Sequence, residues 1–359
     1  MSPAHVDENW QCLEEATALA ARVADPAVIG RVLTVKGLAH RLCGEHEAAS
    51  ATSRQALSLL AGGSMWDHAD LLSNMVATDA YRGRLASAEQ LMPELEASAR
   101  RAGHHGALYS HALYVDAIEA TRTGDLRASL ERSMRTLEGA HFRYVTRTVV
   151  GRSLLYLGDV DHAPEQLAVV VGEQPREHWL QGMAEGNLFA ATALSGHHDR
   201  ARALIPAVVA KLPGPGRRNV QGALCALDTF VTGLRLIDDR VESARHYPRT
   251  LDYIRTGQVA PTMVIGPGTP QLAAALAAEA AGLVDRSREH FETALGQARE
   301  VPMRLVEPAV LYWYGRALSA APDAADRARG RAMVEASVVD FRALDMVVHA
   351  NLAEQFLRE

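Results

Sequence analysis

The sequence is short of cysteine, of aromatic residues and of lysine. Its three cysteines, Cys12, Cys43 and Cys225, are far apart along 359 residues. An odd, sparse set without close spacing argues against a disulfide framework or a cysteine zinc site, and it is typical of a reducing compartment. The net charge of −6 is modest, and no block of basic residues forms the footprint of a nucleic-acid-binding protein. We therefore expect no direct contact with nucleic acid.

Long apolar runs are also missing. No window approaches the eighteen or more uninterrupted apolar residues that a membrane span requires, so we expect no contact with a membrane. The first residues, with His5, Asp7 and Glu8 ahead of Trp10, lack the charged-then-apolar pattern of a signal peptide. Together these absences predict a soluble cytoplasmic protein.

Alanine, by contrast, dominates the apolar residues. Alanine is the best helix former and allows helices to pack closely, and a stretch such as residues 273–281 is difficult to place in anything but a helix. A chain of 359 residues is too long for one ordinary core, yet its composition shows no break. A stacked array, in which each unit buries its apolar face against its neighbours, meets both conditions.

A set of turn residues recurs between apolar helical stretches. Successive members are 39, 41, 34, 38, 43 and 43 residues apart, close to the period of tetratricopeptide repeats and their longer variants. Small residues stand five positions after each turn and, in five of seven cases, seven positions before it. They would let the two helices of a hairpin cross at a short distance. The turn residues are Gly44, Gly83, Gly124, Gly158, Gly196, Asp239 and Gly282.

This pattern predicts an all-α fold, a right-handed α-α superhelix (TPR-like solenoid) of about eight helix hairpins. We expect an N-terminal helix in residues 1–25, the repeat array in residues 26–345 and a C-terminal capping helix in residues 346–359. Residues 257–270 are rich in proline and glycine, and could be a flap over the groove or a hinge within the array. The alternative is an irregular helical bundle with accidental spacing.

Residues near the end of the chain form a further pattern, made of Gly282, residues 290–295 and 314–318, and then Phe341, Leu344 and Met346. This pattern resembles the carboxyl end of large bacterial signalling ATPases, the LuxR-type regulators related to the maltose activator and the adenylate cyclases fused to an ATPase module. Residues 31–60 and 145–175 resemble tetratricopeptide units. The resemblance implies a sensor region that controls an attached ATPase.

The sequence departs from that family in its phosphate-binding loop. No Gly-x-x-x-x-Gly-Lys-Ser/Thr motif occurs, and residues 213–216, Pro-Gly-Pro-Gly, are followed by Arg217 and Arg218. We interpret this segment as a linker between repeats. The paired histidines at 104–105 and 197–198 lack the converging geometry of metal ligands, and we interpret them as solvated loop residues. We expect no metal and no other cofactor.

The candidate site is the concave groove lined by the first helix of each hairpin. Arginine and tyrosine there suit a peptide carboxylate, an acidic segment or a small polar effector. Ion pairs within helices and packed aromatic rings are the alternative interpretation. The predicted groove residues are His111, Tyr114, Arg122, Arg147, Thr148, Arg152, Tyr312 and Arg316.

The sequence thus predicts a non-catalytic binding or sensor module in bacterial signalling or transcriptional regulation, with a protein, a peptide or a small effector as its partner. One alternative is a structural oligomerisation scaffold, such as a homodimer, with Trp10, Leu13 and Val28 at its edge. Another is an enzyme that uses the groove. It is disfavoured because we find no convergent acid, base or nucleophile and no Gly-x-Ser-x-Gly elbow.

Overall fold

The structure is a computed structural model that describes residues 5–60, 64–139, 143–175, 178–214, 218–261 and 266–359. All regular structure in these ranges is helical. The helices are α1 (Val6–Val23), α2 (Pro26–Leu42), α3 (His46–Leu59), α4 (Met65–Tyr81), α5 (Leu85–Ala102), α6 (His105–Thr123), α7 (Leu126–Thr136), α8 (Arg143–Tyr156), α9 (His162–Glu173), α10 (Met183–Leu194), α11 (His198–Val209), α12 (Gln221–Leu236), α13 (Arg240–Arg245), α14 (Tyr247–Ile254), α15 (Pro270–Ala280), α16 (Val284–Glu300), α17 (Glu307–Ser319), α18 (Ala324–Ala343) and α19 (Val347–Arg358).

The helices from α2 to α18 form eight successive hairpins. In the sixth hairpin the second helix is divided, so that α13 and α14 both follow α12. The first helices of neighbouring hairpins also contact each other, as α2 contacts α4 and α10 contacts α12. At the ends, α1 packs on α2, and α19 packs on α18 and α8. The predicted all-α array of about eight helix hairpins is confirmed.

The turn residues lie where the chain adopts a left-handed backbone. Gly44 has a φ of +74°, a conformation that costs glycine least because it has no β-carbon. In the sixth hairpin the left-handed residue is Asp238, with a φ of +55°. Its neighbour Asp239 instead caps α13 by accepting a hydrogen bond from the amide of Glu242. The predicted turn at Asp239 is therefore wrong by one residue.

Small residues stand where the two helices of a hairpin cross, as the spacing predicts. Ala49, Ala88 and Ala163 are fully buried. A β-carbon at Gly151 would lie 2.8 Å from Cγ of Leu167. A larger residue there would push α8 away from α9, because well-packed helices do not absorb an added side chain without strain.

The array winds back on itself, so that its first hairpins contact its last ones. The turn at Gly44 packs against Leu224 and Thr256, near the sixth hairpin. The next turn, at Gly83, packs against Val301 at the end of the seventh, and the turn at Gly124 packs against the side chain of Leu344 at the end of the eighth. The contacts follow chain order on both sides, so the two stretches run alongside each other.

Hydrogen bonds join the same two stretches. The amides of Val259 and Ala260 donate to the carbonyl oxygen of Tyr81, at 2.8 and 3.1 Å. The amide of Arg304 donates to the carbonyl oxygen of Thr121 at 2.9 Å. The inner wall, which is the surface formed by the first helices of the hairpins, is therefore partly covered by the chain itself. An extended solenoid would instead leave this surface open along its whole length.

The proline- and glycine-rich segment 257–270 contributes to this covering. On one side, Gln258 is buried, accepts a hydrogen bond from Gln221 Nε2 and donates to the carbonyl oxygen of Ala260. On the other side, the buried Gly266 packs against the guanidinium of Arg152. Residues 262–265 of the predicted loop lie outside the described residues. Because α14 contacts α15 directly, the described parts line the inner wall and do not separate the array into two halves.

Candidate ligand cavities on the inner wall

Two recesses of the inner wall combine charged side chains with apolar surface. The first, which we call the Arg41 groove, has a volume of about 280 Å³ and lies between α2, α4, α6 and α8, with Trp179 at one side. The second, which we call the Arg152 cavity, has a volume of about 50 Å³ and lies between α8, α10, α12, α15, α17 and α19. Both are built from the first helices of successive hairpins.

Arg41 lies at the base of its groove with only 8% of its surface exposed. Its Nε donates to Oδ1 of Asn74 at 2.7 Å, and the guanidinium lies over the ring of Trp179, 5.7 Å from the ring centre. Asn74 is held in turn by a hydrogen bond to Oγ of Ser53. The Nη1 atom is buried without a hydrogen-bond partner, and Arg41 forms no ion pair with a carboxylate in the described part of the chain. The groove thus holds a fixed cation that is not paired with a carboxylate, and Asp70, which also lines the groove, contacts His104 instead.

Two tyrosine hydroxyls lie near this cation. Tyr81 and Tyr114 are both buried, and their ring centres lie 6.4 Å apart, so that the two hydroxyls face each other. Burial raises the pKa of each phenol, so both hydroxyls stay neutral and able to donate. Burial, together with the cation of Arg41, lowers the pKa of His46 to about 3, which keeps this imidazole neutral. Arg41 is therefore the charge that dominates the base of the groove.

The rim of the Arg41 groove is partly apolar. Val35 and Leu38 of α2 line it and are exposed to 52% and 37%. Opposite them His104 lies within 2.8 Å of Oδ1 of Asp70 and stacks on the ring of Trp66. His104 is buried and caps α6, so its interpretation as a solvated loop residue is wrong. The polar base and apolar rim would suit a ligand with one anionic end.

The Arg152 cavity has its own arginine. The Nε and Nη2 atoms of Arg152 donate to the hydroxyl of Tyr156 at 2.8 and 2.6 Å, and Nη1 donates to Oδ1 of Asn187 at 3.0 Å. These bonds fix the guanidinium against the wall between α8 and α10. Leu272 and Trp313 supply apolar surface on the other side of the cavity.

Asp228 of α12 faces the same cavity. Its Oδ1 atom is buried and has no hydrogen-bond partner in the described structure. Burial raises the pKa of this carboxyl to about 7, and the nearby cation of Arg152 offsets only part of the shift. No ion pair joins Asp228 to Arg152, although both line the cavity. The cavity therefore contains two opposite charges that do not neutralise each other directly.

Two glycines allow the backbone to pass over these charges. A β-carbon at Gly266 would overlap the guanidinium of Arg152, and one at Gly268 would overlap the carboxyl of Asp228. On the remaining side lies His349 of α19, whose Nδ1 atom is buried without a partner. Burial, followed by the cation of Arg152, lowers the pKa of His349 to about 3, so its ring is neutral. Arg152 and Asp228 are thus the charges that a ligand in this cavity would meet.

The predicted groove residues do not form one continuous surface. Tyr114 lines the Arg41 groove, whereas Arg152 and Tyr312 line the Arg152 cavity. Arg316 stacks over Trp313, 5.1 Å from its ring centre, beside the outer opening of that cavity. Three of the eight predicted residues therefore line the two recesses.

The remaining four make contacts within the array. Arg122 pairs with Glu89 at 3.1 Å, and Arg147 pairs with Glu173 at 3.1 Å. Thr148 is buried and donates to the carbonyl oxygen of Tyr144. His111 is half-buried, and burial lowers its pKa despite the nearby carboxylate of Glu96. These contacts correspond to the alternative interpretation, in which such side chains stabilise the helices.

Sequence reasoning missed Arg41, Asn74, Asn187 and Asp228. A usable signal is their distance from the turn. Asn74 and Asn187 both stand nine residues before the glycine that ends their hairpin turn, and Asp228 stands ten residues before Asp238. The position alone does not decide, because Val35 also stands nine residues before its turn glycine, Gly44, and is 52% exposed.

Neither the models of known protein families nor the curated protein sequences match this chain. The likeness to regulators with an ATPase module therefore stays a prediction. In the described residues, no three histidine, cysteine, aspartate or glutamate side chains are placed to hold a metal ion. Within the same residues, no helix combines the length and the apolar character needed to cross a bilayer.

Proposed function

We propose that this chain is a non-catalytic binding module that holds a small organic anion in the Arg41 groove. The observation that carries the proposal is the buried Nη1 atom of Arg41, which has no partner. A buried polar group left unsatisfied costs about 1–3 kcal/mol, and more when it is charged, so such groups are uncommon in folded proteins. A ligand that accepts a hydrogen bond from Arg41 would remove this cost.

The shape of the groove indicates the rest of the ligand. A planar guanidinium matches a carboxylate or phosphate group in geometry as well as charge. The hydroxyl of Tyr114 is a second donor at the base. Val35, Leu38 and Trp179 would cover an aliphatic or aromatic body. We therefore favour a monoanion with an apolar body over a highly charged ligand.

A binding role uses the chemistry that these groups have. Arg41, Asn74 and Tyr114 can donate hydrogen bonds to an anion, and the low pKa of His46 makes this buried imidazole a poor proton acceptor at neutral pH. Recognition requires only such donors and a preformed shape.

The position of the groove supports a sensor role. Its walls are the first helices of hairpins one to four. The turns of the first three pack on hairpins six to eight, and the turn of the fourth packs on Val347 of α19. We call the structure in which these turns contact the later hairpins the wound form. A ligand that binds the wound form more tightly than a form without these contacts shifts the population towards the wound form. In a regulator of the kind that the sequence resembles, this shift would be passed to an attached ATPase.

The test uses ligands that differ only in charge. Wild-type protein is titrated with 3-phenylpropionate and hexanoate, with their uncharged amides, and with hexylamine, by calorimetry and thermal melting. We expect the two carboxylates to bind and to raise Tm, and the amides and the amine to bind at least tenfold more weakly.

Variants assign the binding to Arg41. Arg41→Met should abolish the response to the carboxylates, whereas Arg31→Met, on the exposed side of the same helix where Arg31 pairs with Asp67, should leave it unchanged. Amides that bind as tightly as the acids, or a full response in the Arg41 variant, would contradict the proposal.

A further inference from the structure

The Arg152 cavity presents a cation and an anion to the same recess. Arg152 is held by Tyr156 and Asn187, and Asp228 keeps one carboxyl oxygen without a partner. Both side chains line the cavity, and no ion pair connects them. Folded proteins usually pair or expose such charges, because an isolated charge in an enclosed site is costly. The arrangement is complementary to a ligand that carries both charges.

We propose that the Arg152 cavity is a second binding site, for a small zwitterion of the α-amino acid type, whose carboxylate meets Arg152 and whose ammonium group meets Asp228. The site is independent of the Arg41 groove, and its occupant differs in both size and charge.

The size of the cavity limits the ligand. Its volume is about 50 Å³, and one water molecule requires roughly 10–15 Å³ by this measure. The space therefore accommodates a few non-hydrogen atoms, as in glycine or alanine. Leu272 and Trp313 are the apolar surface that a small side chain would contact.

The electrostatics of the empty site agree with this occupant. Because burial raises the pKa of Asp228 to about 7, the carboxyl is only partly ionised at neutral pH. An ammonium group beside it would favour the ionised form and form a charge-assisted hydrogen bond. Asn187 is a further polar group of the wall, and its amide nitrogen is already used by the carbonyl oxygen of Met183.

The cavity has a route to solvent. Leu194, Leu236, Tyr312 and Leu352 line the Arg152 cavity and also an open depression between α10 and α19. A small ligand could enter between these side chains without unwinding the array. Arg316 lies beside this opening and adds positive charge at its edge.

The first experiment uses Arg41→Met, in which the Arg41 groove no longer attracts carboxylates, beside wild-type protein. Both proteins are titrated at pH 7.5 with glycine and L-alanine, with the single-charge analogues propionate and ethylamine, and with neutral propionamide, and the Arg41→Met titrations decide the outcome. Calorimetry and Tm are measured after long incubation. We expect a zwitterion to bind and each single-charge analogue to bind at least tenfold more weakly, because each loses one charge-assisted hydrogen bond.

The outcome distinguishes the possible occupants. Ethylamine that binds as tightly as L-alanine would reduce the site to a cation site, and equal binding of propionate would reduce it to an anion site. No response to any compound would mean that the cavity holds water alone. Each of these three results overturns the proposal.

Variants then locate the binding. Asp228→Asn and Arg152→Met should each weaken zwitterion binding at least tenfold. Arg147→Met, on the same helix but paired outside the cavity, should leave it unchanged, and so should Arg41→Met. Full zwitterion binding by the Asp228 variant would exclude the site. Loss of anion binding in the Arg41 groove would leave this proposal unaffected, so the two can fail separately.

Discussion

Gly44 and Leu224 lie so close together that a β-carbon on the glycine would be 2.6 Å from Cδ1 of the leucine. The two residues belong to the first and the sixth hairpins, so this contact closes the array on itself. Gly44 also has a φ of +74°, and it therefore meets two separate requirements, a left-handed backbone and a close approach.

Replacing Gly44 by alanine should destabilise the protein through both requirements. The left-handed backbone alone costs alanine roughly 1–2 kcal/mol, and the overlap with Leu224 adds about 1–3 kcal/mol. Gly282→Ala is the matched control, since Gly282 has the same φ of +74° but no atom within 4 Å of a β-carbon. Urea unfolding should show the larger loss for Gly44→Ala. Equal losses would mean that the contact between the hairpins does not stabilise the array.

The turn spacing predicts the hairpins because it is local. A left-handed residue follows the first helix in the first seven hairpins, and this requirement is visible as glycine in six of these turns and as aspartate in one. In the eighth hairpin, Ala320 follows α17 with an ordinary φ of −89°. The contacts of Gly44 with Leu224 and Thr256 depend instead on small rotations added over several hairpins. The spacing of the turns carries no information on the total of these rotations, so the sequence could not predict that the inner wall is partly covered by later hairpins.

The candidate site was only partly predictable for a related reason. Arg147 and Arg152 are five residues apart on α8, which turns them roughly 140° from each other. One pairs with Glu173, and the other faces the inner cavity. Composition and spacing predict both arginines equally well as groove residues. Which side each one faces depends instead on how the helix is rotated about its own axis in the array. Arg41 was missed because its lack of an ion pair appears only in three dimensions.

Arg41 and Arg132 should respond differently to truncation. Both donate through Nε to an oxygen of a buried partner, Arg41 to Asn74 and Arg132 to Asp116. Arg132→Met would leave a buried carboxylate unpaired, which costs about 3–5 kcal/mol. Arg41→Met would lose one hydrogen bond but remove an uncompensated charge, so stability should stay within about 1 kcal/mol of wild type. Urea unfolding of the two variants measures the difference. A loss of several kcal/mol in Arg41→Met would show that Arg41 has an internal counter-charge.

Asp228→Asn should change how stability depends on pH. The pKa of Asp228 is about 7 in the folded protein, above its unfolded value of about 3.9. The folded state therefore binds more protons between these values, and wild-type stability should fall as pH rises from about 4 to about 7. The asparagine of the variant cannot titrate, so the variant does not lose stability in this way. The free energy of unfolding of the variant, minus that of wild type, should therefore increase between about pH 4 and about pH 7, by at most on the order of 4 kcal/mol, and stay constant above that range.

The surroundings of Asp228 make the assignment clear. Arg152 faces it from α8, while burial raises the pKa of Tyr156 and Tyr253 and lowers that of His349 to about 3. Urea unfolding at several pH values gives the difference curve. Asp252→Asn, which removes an exposed carboxylate from α14, is the control, because it shows how stability depends on pH when a carboxylate outside the cavity is lost. If the difference curve for Asp228→Asn matches the one for Asp252→Asn, the carboxyl of Asp228 is not desolvated.

Two tryptophans should report on the two recesses separately. Trp179 lines the Arg41 groove and Trp313 lines the Arg152 cavity, so each lies beside one proposed ligand. Hexanoate should change the emission of wild-type protein and of Trp313→Phe but not of Trp179→Phe, because it displaces water around Trp179. L-alanine should change the emission of wild-type protein and of Trp179→Phe but not of Trp313→Phe. Fluorescence titrations of the three proteins with both ligands measure this, with Tm shifts as the control for retained binding. If both ligands depend on the same tryptophan, they share one recess, and the assignment of two separate sites is wrong.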